Sequence, residues 1–549
     1  MPRFLAPLRP IALTALAVAC AGAMALASCT GSIGQNMTGG PGSSVGGGSA
    51  GAGGPSGVGG GAGASSSGSG GSTPAVPGVL QSGFARLTRA EYRATIKDAF
   101  GVDADVSGIP EDGRVGPYTS NIAFASDPVQ PFLLASEDLA ALIVPSKLPT
   151  CTAATASSCI STSYAKPFER LFRRPVVTTE VTAWSTMLAS LVQAGLTTES
   201  ATRAMVTSAL LQPDSMFRTT PLAGDAARAR RLTEHLSYAL WDAPPDAELA
   251  ALGAGAATVT DLGARLGTQA DRLGRDPRAV PVLARFMAQW LHVDLDNKLG
   301  ADTAYATSPI YLELLAFVQD ALSSGVPVTS FVNGTRGFVH KNNLAPYGLT
   351  SASGTSDVAA VTWPATSPRR GVIGEEAIMD PTRHPDVSRR AIFRGLLVRS
   401  SLLCQTIPPP SAELVALAGE VTDRTKDARC MACHQMLEPV GAAFAGLDRD
   451  FTGTPPAVQL NGHDEIGGTY AALPAFLDAV AGSRAFSDCF ARQMWAFFLE
   501  QPLAEVDAAS IAEIATVVRS GGSLGAVVSQ MAVSLEARSR TVVPWCEGP

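Results

Sequence analysis

The pentapeptide Cys430-Met431-Ala432-Cys433-His434 constrains this chain more than any other stretch. It reads Cys-x-x-Cys-His, the attachment pattern of a c-type haem, in which two thiols add across the haem vinyl groups. With two residues between them, the cysteines lie one helical turn apart on one face. The adjacent imidazole is then held against the porphyrin as an axial ligand. We therefore predict one covalent haem c held by Cys430, Cys433 and His434.

Two other interpretations of this motif are a disulfide-forming redox pair and half of a zinc site. The histidine and the lack of a second Cys-x-x-Cys pattern in the sequence weigh against both. The sequence also contains no His-Glu-x-x-His motif and no dinucleotide fingerprint after a predicted strand. We therefore assign no catalytic residue, and an enzymatic activity is left open.

Residues 1–28 have the layout of an export signal, which suits a cofactor that is attached outside the cytoplasm. Arg3 and Arg9 precede an apolar stretch at 11–26 that is short for a membrane span. The tetrapeptide LASC that ends at Cys29 resembles the bacterial lipobox. That resemblance implies cleavage before Cys29 and lipidation of its thiol, which would tether the mature chain to a membrane. Plain secretion is the alternative.

Residues 29–78 are dominated by Gly, Ser and Ala, a composition typical of a flexible tether. After residue 30, charges interrupt every apolar run before it reaches the roughly 20 residues of a membrane span. The net charge is −7 and only 16% of residues are charged, without a basic block. This charge pattern disfavours a nucleic-acid partner. The signal, the lipobox and the absence of a later span predict a protein anchored to a membrane by its lipid, on the periplasmic side or at the surface of a bacterium.

The chain has nine cysteines, of which one lies in the signal, one takes the lipid and two take the haem. The five that remain are Cys151, Cys159, Cys404, Cys489 and Cys546. In an oxidising compartment, Cys151 and Cys159 are spaced to close a small loop. We also pair Cys404 with Cys489 because both flank the haem motif, although sequence alone does not determine connectivity.

Helical periodicity dominates the rest of the chain. Thr88 and Glu91 form a capping-box pattern, and Gly101 would end the helix that follows. The same reasoning predicts helices at 132–148, 164–191 with a turn at Pro175, 199–211, 226–241, 246–252, 259–275, 277–291 and 311–323. Strand signals are few, at 337–340 and 359–363. We predict a mostly α-helical fold.

The order of several short signatures resembles a planctomycete-type, haem c-associated family whose members carry a collinear run of uncharacterised domains. The segments that carry the resemblance read RLTRAEYRATIKDAFG, FERLFRRPVVTTE, LTEHLSYALWDAPPDAELAAL, RRGVIGEEAIMDPTRHPDVSRRAIFRGLL with CMACHQMLEPVGAAFAGLD, and FLDAVAGSRAFSDCFARQMWAFFLEQPL. Glu500-Gln501 departs from the Gly-Arg ending that is usual in the family, and the first domain is shortened. The family has no settled reaction.

The resemblance implies a multi-module helical body with a small cytochrome c-like module near the C-terminus. We place the modules at 79–160 (N-terminal), 161–365 (central), 366–455 (haem-binding) and 456–549 (C-terminal). The resemblance of His384 to the family's His-Pro signature makes it the first candidate for the distal haem ligand, with Met436, Met379, His463 and Met494 as alternatives. For His434 we expect a turn at Pro439 and Gly441 to provide the carbonyl that orients the ring.

A mono-haem protein of this kind would transfer electrons to a redox protein whose identity the sequence does not reveal. The alternatives are an enzyme that uses the haem or a cleft in the helical body, and a surface-binding scaffold whose haem is structural. One haem and no other recognisable cofactor site favour electron transfer. The size of the helical body keeps the other two functions open.

Overall fold

A computed structural model describes residues 85–121, 129–218, 225–255, 261–292, 307–351, 356–417, 421 and 423–539. The predicted signal, Cys29, the tether and Cys546 lie outside these ranges. Within the described ranges, no helix combines the length and the apolar character that a bilayer crossing requires.

The first long helix, α1 (Arg89–Phe100), begins and ends where the sequence predicts. Thr88 Oγ1 accepts a hydrogen bond from the Glu91 backbone N–H at 3.2 Å, and Glu91 Oε2 accepts one from the Thr88 backbone N–H at 2.7 Å. Gly101 ends the helix with φ +67°, a conformation that favours glycine. Tyr92 and Ile96 lie on the buried face.

The described structure is mostly α-helical, as predicted. Helices of eight or more residues after α1 are α2 (Val129–Ile143), α3 (Ala165–Phe172), α4 (Thr178–Gln193), α5 (Thr198–Leu210), α6 (Asp225–Trp241), α7 (Ala247–Gly255), α8 (Leu262–Arg275), α9 (Ala279–Trp290), α10 (Pro309–Ser324), α11 (Val387–Leu396), α12 (Met431–Gly441), α13 (Leu473–Gly482), α14 (Arg484–Leu499), α15 (Ala508–Arg519) and α16 (Leu524–Ser539). Shorter helices span Ala156–Cys159, Pro213–Met216, Ser330–Asn333, Glu376–Met379 and Ala412–Leu417. Helix α2 ends earlier than predicted because Pro145 follows it closely.

The described strands form four two-stranded antiparallel sheets. The strands are β1 (Ala85–Arg86), β2 (Arg114–Val115), β3 (Tyr118–Thr119), β4 (Phe217–Arg218), β5 (Arg336–His340), β6 (Val358–Thr362), β7 (Val458–Leu460) and β8 (Gly468–Tyr470). They pair as β1 with β4, β2 with β3, β5 with β6 and β7 with β8. The two strands predicted from sequence are β5 and β6, which pair with Phe338 opposite Ala360.

Apolar side chains pack into two large cores. The first extends from Leu87 to Leu210 and includes Phe168 against Trp184, with ring centroids 4.9 Å apart. This core includes residues on both sides of residue 160, and the module boundary placed there stays a prediction. The second core draws on α6 to α10 and α12 to α16, and it includes Trp290 and Phe490, whose ring centroids are 5.3 Å apart.

The described residues form two disulfide bonds, one associated with each core. Cys151 is bonded to Cys159 within the first core, and Cys404 is bonded to Cys489. The second bond joins the chain after α11 to α14, across 85 residues of sequence. It therefore holds the start of the segment that leads to the Cys-x-x-Cys-His motif against the second core.

A buried acid pair lies beside the β5–β6 hairpin. Tyr347 Oη is 2.6 Å from Glu313 Oε2 and 3.0 Å from Glu375 Oε2, and it accepts the Glu376 backbone N–H at 2.9 Å. A tyrosine hydroxyl has one proton to donate. If that proton goes to Glu313, the carboxyl of Glu375 must itself be protonated and donate to the tyrosine oxygen. Burial raises the pKa of Glu313 to about 7 and that of Glu375 to about 8.

We predict that Glu375→Gln stabilises the protein at alkaline pH. The folded state keeps a proton on Glu375 that the unfolded chain releases above its ordinary pKa of 4.5, so stability falls as pH rises from there towards about 8. The glutamine amide replaces the protonated carboxyl as donor. Urea unfolding should show Glu375→Gln gaining more than about 1 kcal/mol over the parent at pH 8 and less at pH 5.

The matched control is Glu505→Gln, at an exposed glutamate, which should behave like the parent at both pH values. An identical change for Glu375→Gln at pH 5 and pH 8 would contradict a protonated Glu375.

Candidate functional site

The Cys-x-x-Cys-His motif opens helix α12. Cys430 stands at the N-cap, and the His434 backbone N–H donates to the Cys430 carbonyl at 3.2 Å. Cys433 follows in the first turn. Both thiols are half-buried and unbonded, whereas Cys404 and Cys489 are joined in a disulfide. Two unbonded thiols beside a histidine on one helical turn are the donor set that covalent haem attachment needs.

A carboxylate one turn along the helix holds the imidazole of His434. Nδ1 of His434 lies 2.6 Å from Oε1 of Glu438. When Nδ1 donates to this carboxylate, Nε2 keeps its lone pair and can ligate a metal. Our expectation of a turn carbonyl at Pro439 and Gly441 is therefore wrong, because both residues lie inside α12. Glu438 lies four residues after His434, on the same face of the helix, and this spacing could have predicted the contact from the sequence.

Helix α12 packs directly on α11 through glycine. A Cβ on Gly441 would lie 1.8 Å from the carbonyl oxygen of Ala391, and a Cβ on Gly395 would lie 2.1 Å from that of Leu437. Neither position has room for a side chain, so the two backbones touch. Since Ala391 is opposite Gly441 and Gly395 is opposite Leu437, the helices run antiparallel.

The motif lies on the same face of α12 as this contact. Cys430, His434, Leu437 and Gly441 follow one another at spacings of four, three and four residues, which is the period of one helical face. The motif is therefore on the α11 side of α12, one turn beyond the Gly395–Leu437 contact.

Buried Arg399 fastens this end of the helix pair. Its Nε donates to the Met436 carbonyl at 2.7 Å, Nη1 donates to Gln405 Oε1 at 2.6 Å, and Nη2 donates to the Asn461 carbonyl at 2.7 Å. The side chain is fully buried, and burial lowers its pKa. The guanidinium of Arg399 thus links α12, the chain after α11 and the end of β7 through hydrogen bonds.

A charge cluster fastens the opposite end. Asp448 forms ion pairs with Arg383, Arg390 and Arg394, and the Arg394 pair is 2.5 Å long and almost fully buried. Burial alone would raise the pKa of Asp448, but the hydrogen bonds from Arg394 and Arg383 lower it. The cluster anchors the chain after α12 to α11.

The alternative distal ligands occupy varied surroundings. Met379 and Met494 are fully buried in the second core. Nδ1 of His463 accepts backbone N–H groups of the loop before β8, at 3.3 Å. Met436 faces Gly462, whose Cβ position is 3.9 Å from the methionine methyl carbon.

The structure does not bring His384 and His434 together. His384 precedes α11, where its ring stacks on Phe393 at 5.7 Å and its carbonyl accepts from Arg390. Because the helices are antiparallel, this end of α11 lies beside the C-terminal end of α12, whereas His434 is in the first turn. Ligation by His384 stays a prediction.

Three family models match the chain in collinear order. Protein of unknown function (DUF1587) matches residues 85–142, protein of unknown function (DUF1592) matches 228–349, and protein of unknown function (DUF1588) matches 369–450. These domains are named as cytochrome c-associated families, and they occur in the order that the resemblance implies. The third match includes the Cys-x-x-Cys-His motif and all of α11 and α12. No curated protein and no solved structure matches the chain.

We predict that Gly441→Ala separates α11 from α12. The added methyl group would overlap the Ala391 carbonyl, and the backbones would have to move apart. Overpacking typically costs about 1–3 kcal/mol, and we expect the upper end of this range because the obstacle is main chain. Chemical denaturation measures the loss.

Gly482→Ala is the control, since Gly482 ends α13 with no neighbouring atom within 4 Å of its Cβ position. Equal stability of the two variants would contradict the direct backbone contact.

Proposed function

We propose that this protein is an exported, membrane-tethered, mono-haem c-type cytochrome-like protein that transfers electrons at the periplasmic side or the cell surface. The observation that supports this proposal is the pair of unbonded thiols, Cys430 and Cys433, on the helical turn whose next residue, His434, is oriented by Glu438. The match of residues 369–450 to a cytochrome c-associated family supports it independently.

Each residue of the motif has a distinct task in this proposal. The thiols of Cys430 and Cys433 would form the two thioether bonds, and Nε2 of His434 would ligate the iron. A bound haem c would supply reversible one-electron chemistry. The Glu438 carboxylate accepts a hydrogen bond from Nδ1–H of His434, which fixes the ring orientation and increases the donor strength of Nε2.

Lipidation of Cys29 and a Gly/Ser-rich tether at 29–78 would keep the helical body near a membrane. The partner would be a second redox protein and not a nucleic acid, given the net charge of −7 without a basic block. The Arg394–Asp448 ion pair at one end of α11 and α12, and the Arg399 hydrogen bonds at the other, would keep the motif in a fixed position for electron exchange.

Covalent haem is the first measurable consequence. We expect the full chain, expressed in a host that matures c-type haem, to give an alkaline pyridine haemochrome spectrum of the c type. Replacing Cys430 and Cys433 together with serine should abolish covalent haem, since no thiol is left to add to the vinyl groups. Acid–acetone extraction followed by the spectrum measures this.

Ala432→Ser is the matched control, because it changes an exposed residue inside the motif and leaves Cys-x-x-Cys-His intact. A folded wild-type protein without covalent haem in that host would refute the cytochrome proposal.

The family signature predicts that His384 completes the iron coordination. In that case, His384→Ala should convert the ferric haem from a six-coordinate low-spin to a high-spin state, as seen by absorption and electron paramagnetic resonance. His463→Ala should leave the spin state unchanged. An unaltered low-spin spectrum in His384→Ala would exclude His384 as the distal ligand, in line with its distance from the first turn of α12.

A further inference from the structure

A partly enclosed cavity lies where α1, α6 and α9 meet the end of α14. Four carboxylates line it, those of Glu91, Asp112, Asp242 and Glu500, and Arg285 is the only basic residue among the described residues that line it. Water-sized spheres can occupy about 40 Å³ of the cavity, which is room for a few water molecules or one small organic ion. None of the lining residues belongs to the Cys-x-x-Cys-His motif or to α11 and α12.

Two of the four carboxylates have a cation of their own. Nη1 and Nη2 of Arg285 donate to the two carboxylate oxygens of Asp242, at 2.6 and 2.7 Å. Asp112 lies 3.7 Å from the buried guanidinium of Arg86, and it also accepts a hydrogen bond from the Arg89 backbone N–H at 3.0 Å. The charges of Asp242 and Asp112 are therefore compensated within the protein.

Glu91 and Glu500 share one cation. Nη2 of Arg218 contacts Oε1 of Glu500, and Nη1 of the same guanidinium lies 3.7 Å from Oε1 of Glu91. The neighbouring Arg173 is paired with Glu234 at 2.5 Å. Burial raises the pKa of Glu91 to about 7, although Arg218 opposes the shift, and Glu500 adds to it. One buried carboxylate thus has no cation of its own, and a proton or a bound cation must compensate its charge.

Two buried acceptor atoms at this cavity have no hydrogen-bond partner among the described residues. They are Oε2 of Glu500 and Nε2 of His235. His235 is 8% exposed, and it precedes Ala239 and Asp242 by four and seven residues, which places it on the face of α6 that lines the cavity. Its ring stands edge-on to that of Phe498, another lining residue, with centroids 5.0 Å apart. A buried acceptor without a partner indicates a bound donor.

His235 cannot supply the missing positive charge. Burial, together with the charges of Arg218 and Arg231, lowers its pKa to about 3, so the ring is neutral near pH 7. The ring donates a hydrogen bond to the Phe498 carbonyl, which leaves Nε2 with a lone pair. The cavity therefore offers a carboxylate oxygen and a neutral imidazole nitrogen to a ligand that carries N–H groups and a positive charge.

The rest of the lining distinguishes an organic cation from a metal ion. Ala90, Ala239, Phe497 and Phe498 supply apolar surface, and aromatic rings attract cations. The described residues include no group of three or more His, Cys, Asp or Glu side chains arranged to hold a metal ion. An ammonium group with a short alkyl part matches both the charge and the apolar surface of this cavity.

We infer that this cavity binds the protonated amino group of a small primary amine, with Glu500 Oε2 and His235 Nε2 as hydrogen-bond acceptors. The charge of the bound amine compensates the carboxylate that Arg218 does not neutralise. Phe497 and Phe498 lie beside the alkyl part. The inference goes beyond electron transfer and does not depend on haem.

Thermal unfolding of the full chain in increasing concentrations of methylammonium chloride tests this inference. A ligand that binds only the folded protein raises the unfolding midpoint as its concentration rises. For a chain of this size we expect about 1 °C for each tenfold increase above the dissociation constant. Tetramethylammonium chloride at the same concentrations is the control, because it has the same charge and no N–H group, and it should give no such rise.

Point variants locate the effect. Glu500→Gln should abolish the rise in methylammonium, since it removes the carboxylate in excess. Glu91→Gln removes the same excess charge and keeps the capping box, because glutamine also accepts from the Thr88 backbone N–H. Either variant, folded by circular dichroism, gives the test. Glu505→Gln, at an exposed glutamate, is the matched control and should keep the full rise.

Three results would overturn the inference: equal midpoints in the two ammonium salts, a rise that persists in the folded Glu500→Gln and Glu91→Gln variants, and a larger rise in sodium or potassium chloride. In the first case a proton alone compensates Glu91, and in the last a bare ion occupies the cavity. The haemochrome spectrum of the same samples tests the proposed function separately, because covalent haem does not depend on the amine.

Discussion

Direct contact between the backbones of α11 and α12 is the constraint on which the candidate site depends. Gly395 and Gly441 let the two helices approach until carbonyl oxygens occupy the space of a side chain. Because the contact is between backbones, it sets both the separation of the helices and their register. That register decides which residues of α11 lie beside the first turn of α12, and therefore which side chains surround the motif.

Buried charges secure the two ends of this helix pair in different ways. At one end, Asp448 compensates several arginines, and Arg383 also pairs with Glu376, which itself pairs with Arg369. This chain of ion pairs connects the site to the second core. At the other end, Arg399 is buried against carbonyl and amide oxygens only, as far as its described contacts extend. Removing the carboxylates at one end, or the carbonyl and amide oxygens at the other, would leave a buried charge without a partner. These interactions therefore favour one arrangement of the helices.

The proposed function follows from a small part of the chain, and the rest of the fold gives that part its environment. The Cys404–Cys489 disulfide and the Arg383 ion pairs attach the helix pair to a core built from distant helices. A one-electron carrier benefits from a rigid site, since a fixed environment limits reorganisation during transfer. The buried acid pair at Glu313 and Glu375 belongs to the same body, and the raised pKa of each carboxyl predicts a stability that falls as pH rises.

Features that depend on a few neighbouring residues could be predicted from the sequence: the Cys-x-x-Cys-His motif, the capping box of α1 and the helical period of a mostly α fold. It also contained the His434–Glu438 contact, which we missed by expecting a turn at Pro439. The folded structure was needed to see that α11 lies antiparallel to α12, that Arg399 binds carbonyls far along the chain, and that His384 lies at the opposite end from His434. A local motif can be recognised from the spacing of residues along one helix. Contacts between distant segments depend on close packing and desolvation, and no regular spacing in the sequence indicates which segments will meet.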